Sequence, residues 1–374
     1  MARTMTSRAA LAVLGCLLPG WMAGTAAAAG FERILRNPLA DPVVMRRGDY
    51  WYVTGSDTCI FAGRRLTRHH LRRHELSLDF GEHANPRPAG IWGLSFYQHT
   101  DGAWHAYVTV HFGHFQTAVA HFVPLPGQKW APGKPITRWR LRKLLIGGRT
   151  RAEGTAYDQK LYRLDDGSLY LVYNAPAPGK RDVGIYAARM KDPATLDASA
   201  TPVPLLVPEG YRSESRHGTA LQICEGSTIR RLGGKWVLAY SVGAFDLPNY
   251  KIGLAYSDTF LPPRGKTYRK VLIDDPKGVW GKAAKRQEVC YLLQSQKPDW
   301  PNYCGEWIHS PGIGNIVEED GRFWLVHHGY VPVPGARRYD PTSRMVFKLP
   351  LRVAIDPARP MHEWIAAVLP EEEP

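Results

Sequence analysis

The sequence predicts an all-β fold, a five-bladed β-propeller. Three observations lead there. One hairpin pattern, a short apolar strand, a Gly-containing turn and an aromatic-rich strand, occurs five times. The copies recur at intervals of about 50 to 90 residues, as radial repetition requires. Long helical periodicity is largely absent, and no strand–helix alternation supports a Rossmann-like sheet. A β-sandwich with ordinary hairpins is the rival, and the unequal spacing is compatible with it.

The first hairpin, "DPVVMRRGDYWYVTGS", runs from Asp41 to Ser56. The second, "GLSFYQHTDGAWHAYVTVHFG", runs from Gly93 to Gly113. "YDQKLYRLDDGSLYLVYN" carries the third from Tyr157 to Asn174, and "EGSTIRRLGGKWVLAYS" the fourth from Glu225 to Ser241. The fifth, "GNIVEEDGRFWLVHHGY", runs from Gly314 to Tyr330. Asp-Gly and Gly-Gly turns let the chain reverse with little strain, and apolar residues alternate along the flanking runs. Between the hairpins lie further strand-like runs, such as Lys251 to Phe260, and Pro/Gly-rich loops.

Ahead of the repeats, residues 1–29 read as a signal peptide. Arg3 and Arg8 precede an apolar stretch from Ala9 to about Met22, and small residues follow. Cleavage is expected near Ala27 to Ala29, leaving residues 30–374 as one propeller domain, periplasmic or secreted. An uncleaved anchor would need a longer run than this one, which Pro19 and Gly20 interrupt. Cys16 offers a lipoprotein site, but Leu17 and Leu18 after it argue against that use. No later segment is long and apolar enough for a membrane-spanning helix.

Composition is globular: 44% hydrophobic, with 12 Trp and 18 Tyr, which suits strands and carbohydrate-facing surfaces alike. The formal net charge is +14, much of it in "GRRLTRHHLRRHEL" from Gly63 to Leu76. No nucleic-acid motif accompanies it. A solvated basic face is the plain reading, and an anionic glycan or membrane surface is the sharper one. Of the cysteines left after the leader, Cys290 and Cys304 flank a Pro-rich loop and form the expected disulfide in an oxidising compartment. No CxxC pair occurs, so a zinc ribbon is unsupported.

In a propeller the innermost strand of each blade lines a central channel. Acids at the starts of repeats therefore converge at one end of it. Asp41 opens the first repeat, Asp158 the third and Glu225 the fourth. One such acid is usually a turn or capping residue; three from distant parts of the chain suggest a site. Acids that share one cavity can divide the work, one protonated as a donor and one ionised as an acceptor. Burial or a neighbouring negative charge keeps the donor protonated, and Cys224 beside Glu225 is small and apolar enough to help. The histidines make a poor metal site. His111 and His114, like His327 and His328, are spaced by odd offsets and so face opposite sides of a strand.

At these residues the chain resembles the family 43 glycoside hydrolases, five-bladed propeller glycosidases. The first hairpin is similar to that family's "ADPSV…GDYYYL", the third to "IDPSVFIDDDGKAYLVY", the fourth to "EGPHIYKRNGYYYLLYS" and the last to "GSVVEDPDGRWWMVYHA". The resemblance covers most of the chain after the leader and is concentrated in the hairpins. It implies Asp41 as general base, Glu225 as general acid, and Asp158 as the acid that tunes the donor and orients substrate. It also implies inversion at the anomeric carbon. Trp92 matches the second-blade Trp that stacks on sugar, with core packing as its other reading. A substrate-binding Arg is implied among Arg337, Arg338 and Arg344, with Arg344 included in the site, and His217 precedes the acid strand within reach of substrate. Two departures stand out. Gln159 replaces the Pro after the third-blade Asp. Ile313 replaces a His that supports a channel ion, commonly calcium, so no cofactor or metal is expected unless His309 compensates.

The expected function is that of an exported glycosidase, inverting and exo-acting, on α-L-arabinofuranosides or β-xylosides of an oligosaccharide or polysaccharide. An anionic substrate stays open; nucleic acid is not a partner. Two rivals remain at this point: a retaining fructan-type hydrolase on the same scaffold, and a non-catalytic glycan-binding propeller. The fructan-type motifs "NDPNG", "RDP" and "ECP" are replaced here by "ADPVV", "YDQ" and "CEG".

Overall fold

The computed structural model describes residues 32–369 except 82–87, 114–115, 149, 151–153, 178, 217–219, 275–286, 296–307, 334 and 336. The expected leader lies outside the described residues. So does Cys304, but Cys290 is a buried free thiol, so the expected bridge between them is not formed. Cys290 packs among Leu292, Val271 and Leu254, and its apolar surroundings push the thiol pKa up to about 11. Such a site holds a protonated, inert sulfur. Among the described residues, no helix is long and apolar enough to cross a membrane.

Five antiparallel-based sheets form five blades. The innermost strands are Val43–Arg47, Gly90–Gln98, Tyr157–Arg163, Glu225–Leu232 and His309–Glu319. The five expected hairpins supply the two inner strands of each blade. Their turns fall where the sequence places them; Gly102, Gly167 and Gly321, each following Asp, take positive φ. The outer strands come from the runs between the hairpins, for example Lys251–Ser257 in the fourth blade.

Alternation along each strand puts its two faces into two different cores. In the first blade Tyr52 packs toward the second blade with Ala106 and Val108, while Val53 packs toward the fifth with Val326 and Val346. Similar cores join blades two and three, three and four, and four and five. Every sheet is therefore covered on both faces by its neighbours, which explains the near-continuous burial of strands such as Cys59–Gly63. The ring closes on itself: Glu32–Arg33 adds to the edge of Met345–Val353, with Glu32 opposite Lys348. Lys348 also donates to Glu319 at 3.0 Å, and Glu319 accepts from the Leu66 N–H of the first blade at 2.7 Å. The five inner strands surround a channel cavity of about 260 Å³.

At one end of that channel the inner hairpins share a local feature. Where the strand begins, one extra residue separates successive pairs, at Trp92/Ser95, Tyr157/Lys160, Glu225/Thr228 and Gly312/Asn315. A residue in the left-handed region sits in each bulge: Gly93 at φ 57°, Asp158 at 54°, Gly226 at 64° and Ile313 at 53°. Asp41, at φ 53°, occupies the matching place in the first blade. A bulge turns the N–H of its left-handed residue away from its own hairpin. In four of the five blades the neighbouring blade accepts it. Gly93 N–H donates to Ser56 Oγ, Asp158 N–H to Thr109 Oγ1, Ile313 N–H to Ser241 Oγ and Asp41 N–H to His328 Nδ1. A belt of side-chain-to-backbone bonds thus ties blade to blade around the channel mouth.

Candidate active site

The belt positions the acids. Asp41 and Asp158 are the left-handed residues of blades one and three, so their carboxyls are turned up into the mouth. Glu225 is not quite in the same place. It precedes the left-handed Gly226, in the position that Tyr157 and Trp92 hold in the third and second blades. The three acids converge as the repeat argument expects, but Glu225 arrives one residue earlier.

Asp41 receives donors at both carboxyl oxygens. Arg344 Nη1 donates to Oδ1 at 2.9 Å, and the Ser56 hydroxyl donates to Oδ2. His328 lies beneath, fully buried. Burial first, and then the Arg344 charge, push its pKa well down, so the ring is neutral and its bare Nδ1 accepts the Asp41 N–H at 2.9 Å. Of the three arginines considered, Arg344 is the one that reaches the site; Arg337 and Arg338 are exposed on the same loop.

Asp158 accepts from Asn174 Nδ2 at 2.9 Å. Gly93, in the left-handed region at φ 57°, adopts that backbone without strain, and a Cβ there would make ordinary contact with Asp158 Oδ1 at 3.4 Å. Burial, followed by the charges of Asp41 and Glu225, pushes the Asp158 carboxyl well above the usual range; Lys160 and Arg344 oppose this. Gln159, in place of the family's Pro, donates to Gly93 O at 2.8 Å and accepts from Thr109 Oγ1 at 2.6 Å, so it fastens blade three to blade two.

Glu225 is held by two tyrosines. Tyr157 OH donates to Oε2 and Tyr250 OH to Oε1, both at 2.8 Å. The carboxyl pKa is nonetheless raised. Burial is the leading cause, the two hydroxyls and the Arg216 charge oppose it, and Asp41 adds to it. Tyr250 stacks on His328 over Gly312, where a Cβ would fall 2.0 Å from the Tyr250 ring and 2.8 Å from His328 Nε2. Cys224, fully buried behind Glu225, contributes apolar surroundings and lies 3.7 Å from Glu214. Glu214 in turn makes a fully buried ion pair with Lys270 at 2.6 Å and accepts the Glu209, Gly210 and Tyr211 N–H groups. That network fixes the chain leading into the acid strand.

Beside Glu225 opens a cleft of about 810 Å³ whose wall includes Trp92, Tyr157, Arg216 and Phe245. Trp92 stacks on His111 at 4.8 Å and meets Tyr157 edge-on, so it belongs to the cleft wall rather than to a core. His217 lies outside the described residues. The basic run from Gly63 to Leu76 is remote from this cleft wall; its Arg72–Glu75 strand is the outer edge of blade one.

The channel below the acids does not fit the family's divalent ion. Ile313 stands where the supporting His is expected, with its Cδ1 only 1.9 Å from where a Gly226 Cβ would be. The Lys160 amine already occupies the channel, donating to Ser227 O at 2.8 Å; burial lowers its pKa, and the charges of Asp158 and Asp41 oppose this. His309 bonds the Tyr339 hydroxyl through Nδ1. Among the described residues no cluster of three or more His, Cys, Asp or Glu is arranged to hold a metal.

Sequence reasoning did not find Tyr157, Tyr250, His328 or Lys160. Tyr157 was visible as the neighbour of Asp158. The pairing of His327 with His328 signalled opposite faces, and indeed His327 stacks on Phe347 in the blade while His328 faces the site.

A propeller whose channel mouth gathers three carboxyls beneath an aromatic-walled cleft has the layout of a carbohydrate-cleaving propeller. The comparisons give that class its family. The model of "Glycosyl hydrolases family 43" matches residues 33–356, and the chain belongs to this family. It is a glycoside hydrolase. Similar solved structures include an α-L-arabinofuranosidase from Lactobacillus brevis, at 21% identity and TM-score 0.62, covering 84% of this chain and 91% of that one. A thermostable family-43 glycoside hydrolase aligns at 17% identity and TM-score 0.61, over 91% and 96% of the two chains. The α-L-arabinanase of Cellvibrio cellulosa, complexed with arabinohexaose, aligns at 16% identity and TM-score 0.59, over 88% and 95%. At such identities the likeness speaks for the fold. No match was found among curated proteins.

Proposed function

We propose that the protein is an exported, inverting glycosidase acting on α-L-arabinofuranosides or β-xylosides of an oligosaccharide or polysaccharide. The observation that carries the mechanism is the contrast between two carboxyls at one mouth. Glu225 has its proton affinity raised by burial, whereas Asp41 is bracketed by a guanidinium and a hydroxyl that both donate to it. Glu225 gives its proton to the glycosidic oxygen as the bond to the anomeric carbon breaks. Asp41 takes a proton from the water that attacks the opposite face of that carbon. Arg344, Ser56 and His328 hold Asp41 in place. Asp158, fixed by Asn174, orients the sugar. The substrate names are supported by what the structural neighbours are called, namely arabinofuranosidase, arabinanase and endo-1,4-β-xylanase.

Proton NMR of the first product anomer is the test. Inversion is expected, with Glu225→Gln losing about 10²–10⁴-fold on a natural glycoside and much less on an activated aryl glycoside. Retained configuration with a glycosyl ester trapped on Asp41 would transfer the site to the fructan-type mechanism.

We further infer that catalysis needs no channel ion, because Ile313 replaces the supporting His and the Lys160 amine occupies the channel. Activity is expected to survive exhaustive chelation. Loss of activity that calcium restores would refute this.

A further inference from the structure

The end of blade one furthest from the acids is strongly cationic. Val43–Arg47 runs away from Asp41 at the mouth, Tyr50–Thr54 returns, and Cys59–Gly63 runs away again. The connection 64–71 and the start of Arg72–Glu75 therefore lie at the far end, beside the turn at Gly48. Arg46, Arg64, Arg65, Arg68 and Arg72 are all exposed there. The connection that carries most of them is pinned. Leu66 and Leu71 are buried in the core between blades one and five, and the Leu66 N–H donates to Glu319 at 2.7 Å. The His70 and Leu71 N–H groups both close onto Thr67 O. A pinned turn loses less freedom on meeting a partner than a loose basic tail does. The charges are not matched within the chain. Arg73 takes up both flanking carboxylates, Asp57 at 3.3 Å and Glu75 at 2.8 Å, and the Asp49 charge acts on Arg64. Among the described residues, Arg46, Arg65, Arg68 and Arg72 make no ion pair. Such a cluster draws anions, and the net charge of +14 reinforces it.

The rest of this surface says which kind of anion it suits. Aromatic faces that could take a sugar ring are covered by the cations themselves. Arg64 lies over Tyr50 at 5.6 Å, Arg46 over Trp51 at 5.3 Å and Arg47 over Trp104 at 4.7 Å. That disfavours a polysaccharide. Planar guanidiniums suit phosphate, which accepts two parallel N–H bonds. Among the described residues the exposed large apolar side chains are Val331, Val333 and Val368, and none belongs to blade one, so no side chain here is built to insert among acyl chains. We propose that this end of blade one docks on a surface of anionic phospholipid headgroups, held by Arg46, Arg64, Arg65, Arg68 and Arg72, with the mouth facing away. The contact is electrostatic and lies on the membrane rather than in it. It leaves the mouth open to substrate and rests on no step of the hydrolytic mechanism.

The test is sedimentation of the purified protein with phosphatidylcholine vesicles, and with vesicles of equal parts phosphatidylcholine and phosphatidylglycerol, at low and high salt. Partition onto the anionic vesicles is expected to be at least about tenfold stronger than onto the neutral ones at low salt, and to fall away at high salt. Arg65→Gln alone should weaken it about fivefold. The triple variant Arg65→Gln/Arg68→Gln/Arg72→Gln should bring it close to the neutral-vesicle level. Arg264→Gln/Lys266→Gln/Arg269→Gln removes the same charge from an exposed stretch of blade four and should leave partition within about twofold of the parent. Equal partition onto both vesicles, an equal loss in the blade-four variant, or anionic binding that the Arg65, Arg68 and Arg72 changes leave intact overturns the proposal. So does retention by polygalacturonate or dextran sulfate, through the same arginines, with higher affinity per anionic group than the vesicles show; the partner is then an acidic glycan. Vesicle binding as expected by a protein that cleaves no glycoside keeps this surface and removes only the reading of the active site.

Discussion

Tyr157 and Tyr250 pull against the effect that makes Glu225 a proton donor. Each hydroxyl favours the ionised carboxyl, and burial favours the neutral one. Burial wins, so the tyrosines act as a brake that sets how far the pKa rises. Removing a donor to the charged form makes ionisation harder, and the pKa must climb further. The basic limb of kcat/KM, where activity falls as Glu225 loses its proton, should therefore move to higher pH in Tyr250→Phe and in Tyr157→Phe. A shift of about one to two pH units is expected, since a hydrogen bond to a charged group is worth about 1.5–3 kcal/mol. A pH profile settles it; an unmoved or lowered limb means that the hydroxyls do not control the donor. At this scale the sequence exposed the acids because each opens a hairpin with a familiar motif. Tyr250 and Lys160 stayed hidden for a physical reason. One is a lone tyrosine in a loop and the other a lysine on a strand, and only the closed ring brings them beneath the carboxyls.

Hairpins were legible as elements because Asp-Gly and Gly-Gly announce their turns. Their bulges were not. Gly93 and Gly226 hint at left-handed backbone, but Asp41, Asp158 and Ile313 adopt it without being glycine. A β-branched residue there is costly, by roughly 1–3 kcal/mol, and persists only where its surroundings enforce it. Ile313 is enforced by its N–H bond to Ser241 Oγ at 2.8 Å and by the space that Gly226 leaves for its side chain. The belt also explains why Ser56, Thr109, Ser241 and His328, which read as ordinary polar strand ends, sit where they do. Ser241→Ala leaves a buried N–H without its acceptor and should cost about 1–3 kcal/mol of stability. Thermal or denaturant unfolding measures this; a loss below about 0.5 kcal/mol, the size of a neutral surface change, would mean that the belt carries little. The disulfide expectation failed at the same scale. Spacing of Cys290 and Cys304 across a loop ignored that Cys290 belongs to a strand-edge core, packed with Leu292 and Val271.

For the whole molecule, five repeats sufficed to specify five blades, but not how the ring is closed. Glu32–Arg33 is too short for any periodicity to show, and its partner strand is found at the far end of the chain. Export is a whole-molecule prediction: mass spectrometry of periplasmic or secreted protein should find an N-terminus near Gly30, and Met1 retained on that protein would refute it. Such a cut falls just ahead of the closing strand and spares it. The placement of that strand also imposes an order on biosynthesis. Glu32–Arg33 emerges first yet cannot take its place until Met345–Val353 exists, so the circle stays open while the chain is being made. The seam that closes the finished ring is thus the part whose two halves are made furthest apart in time.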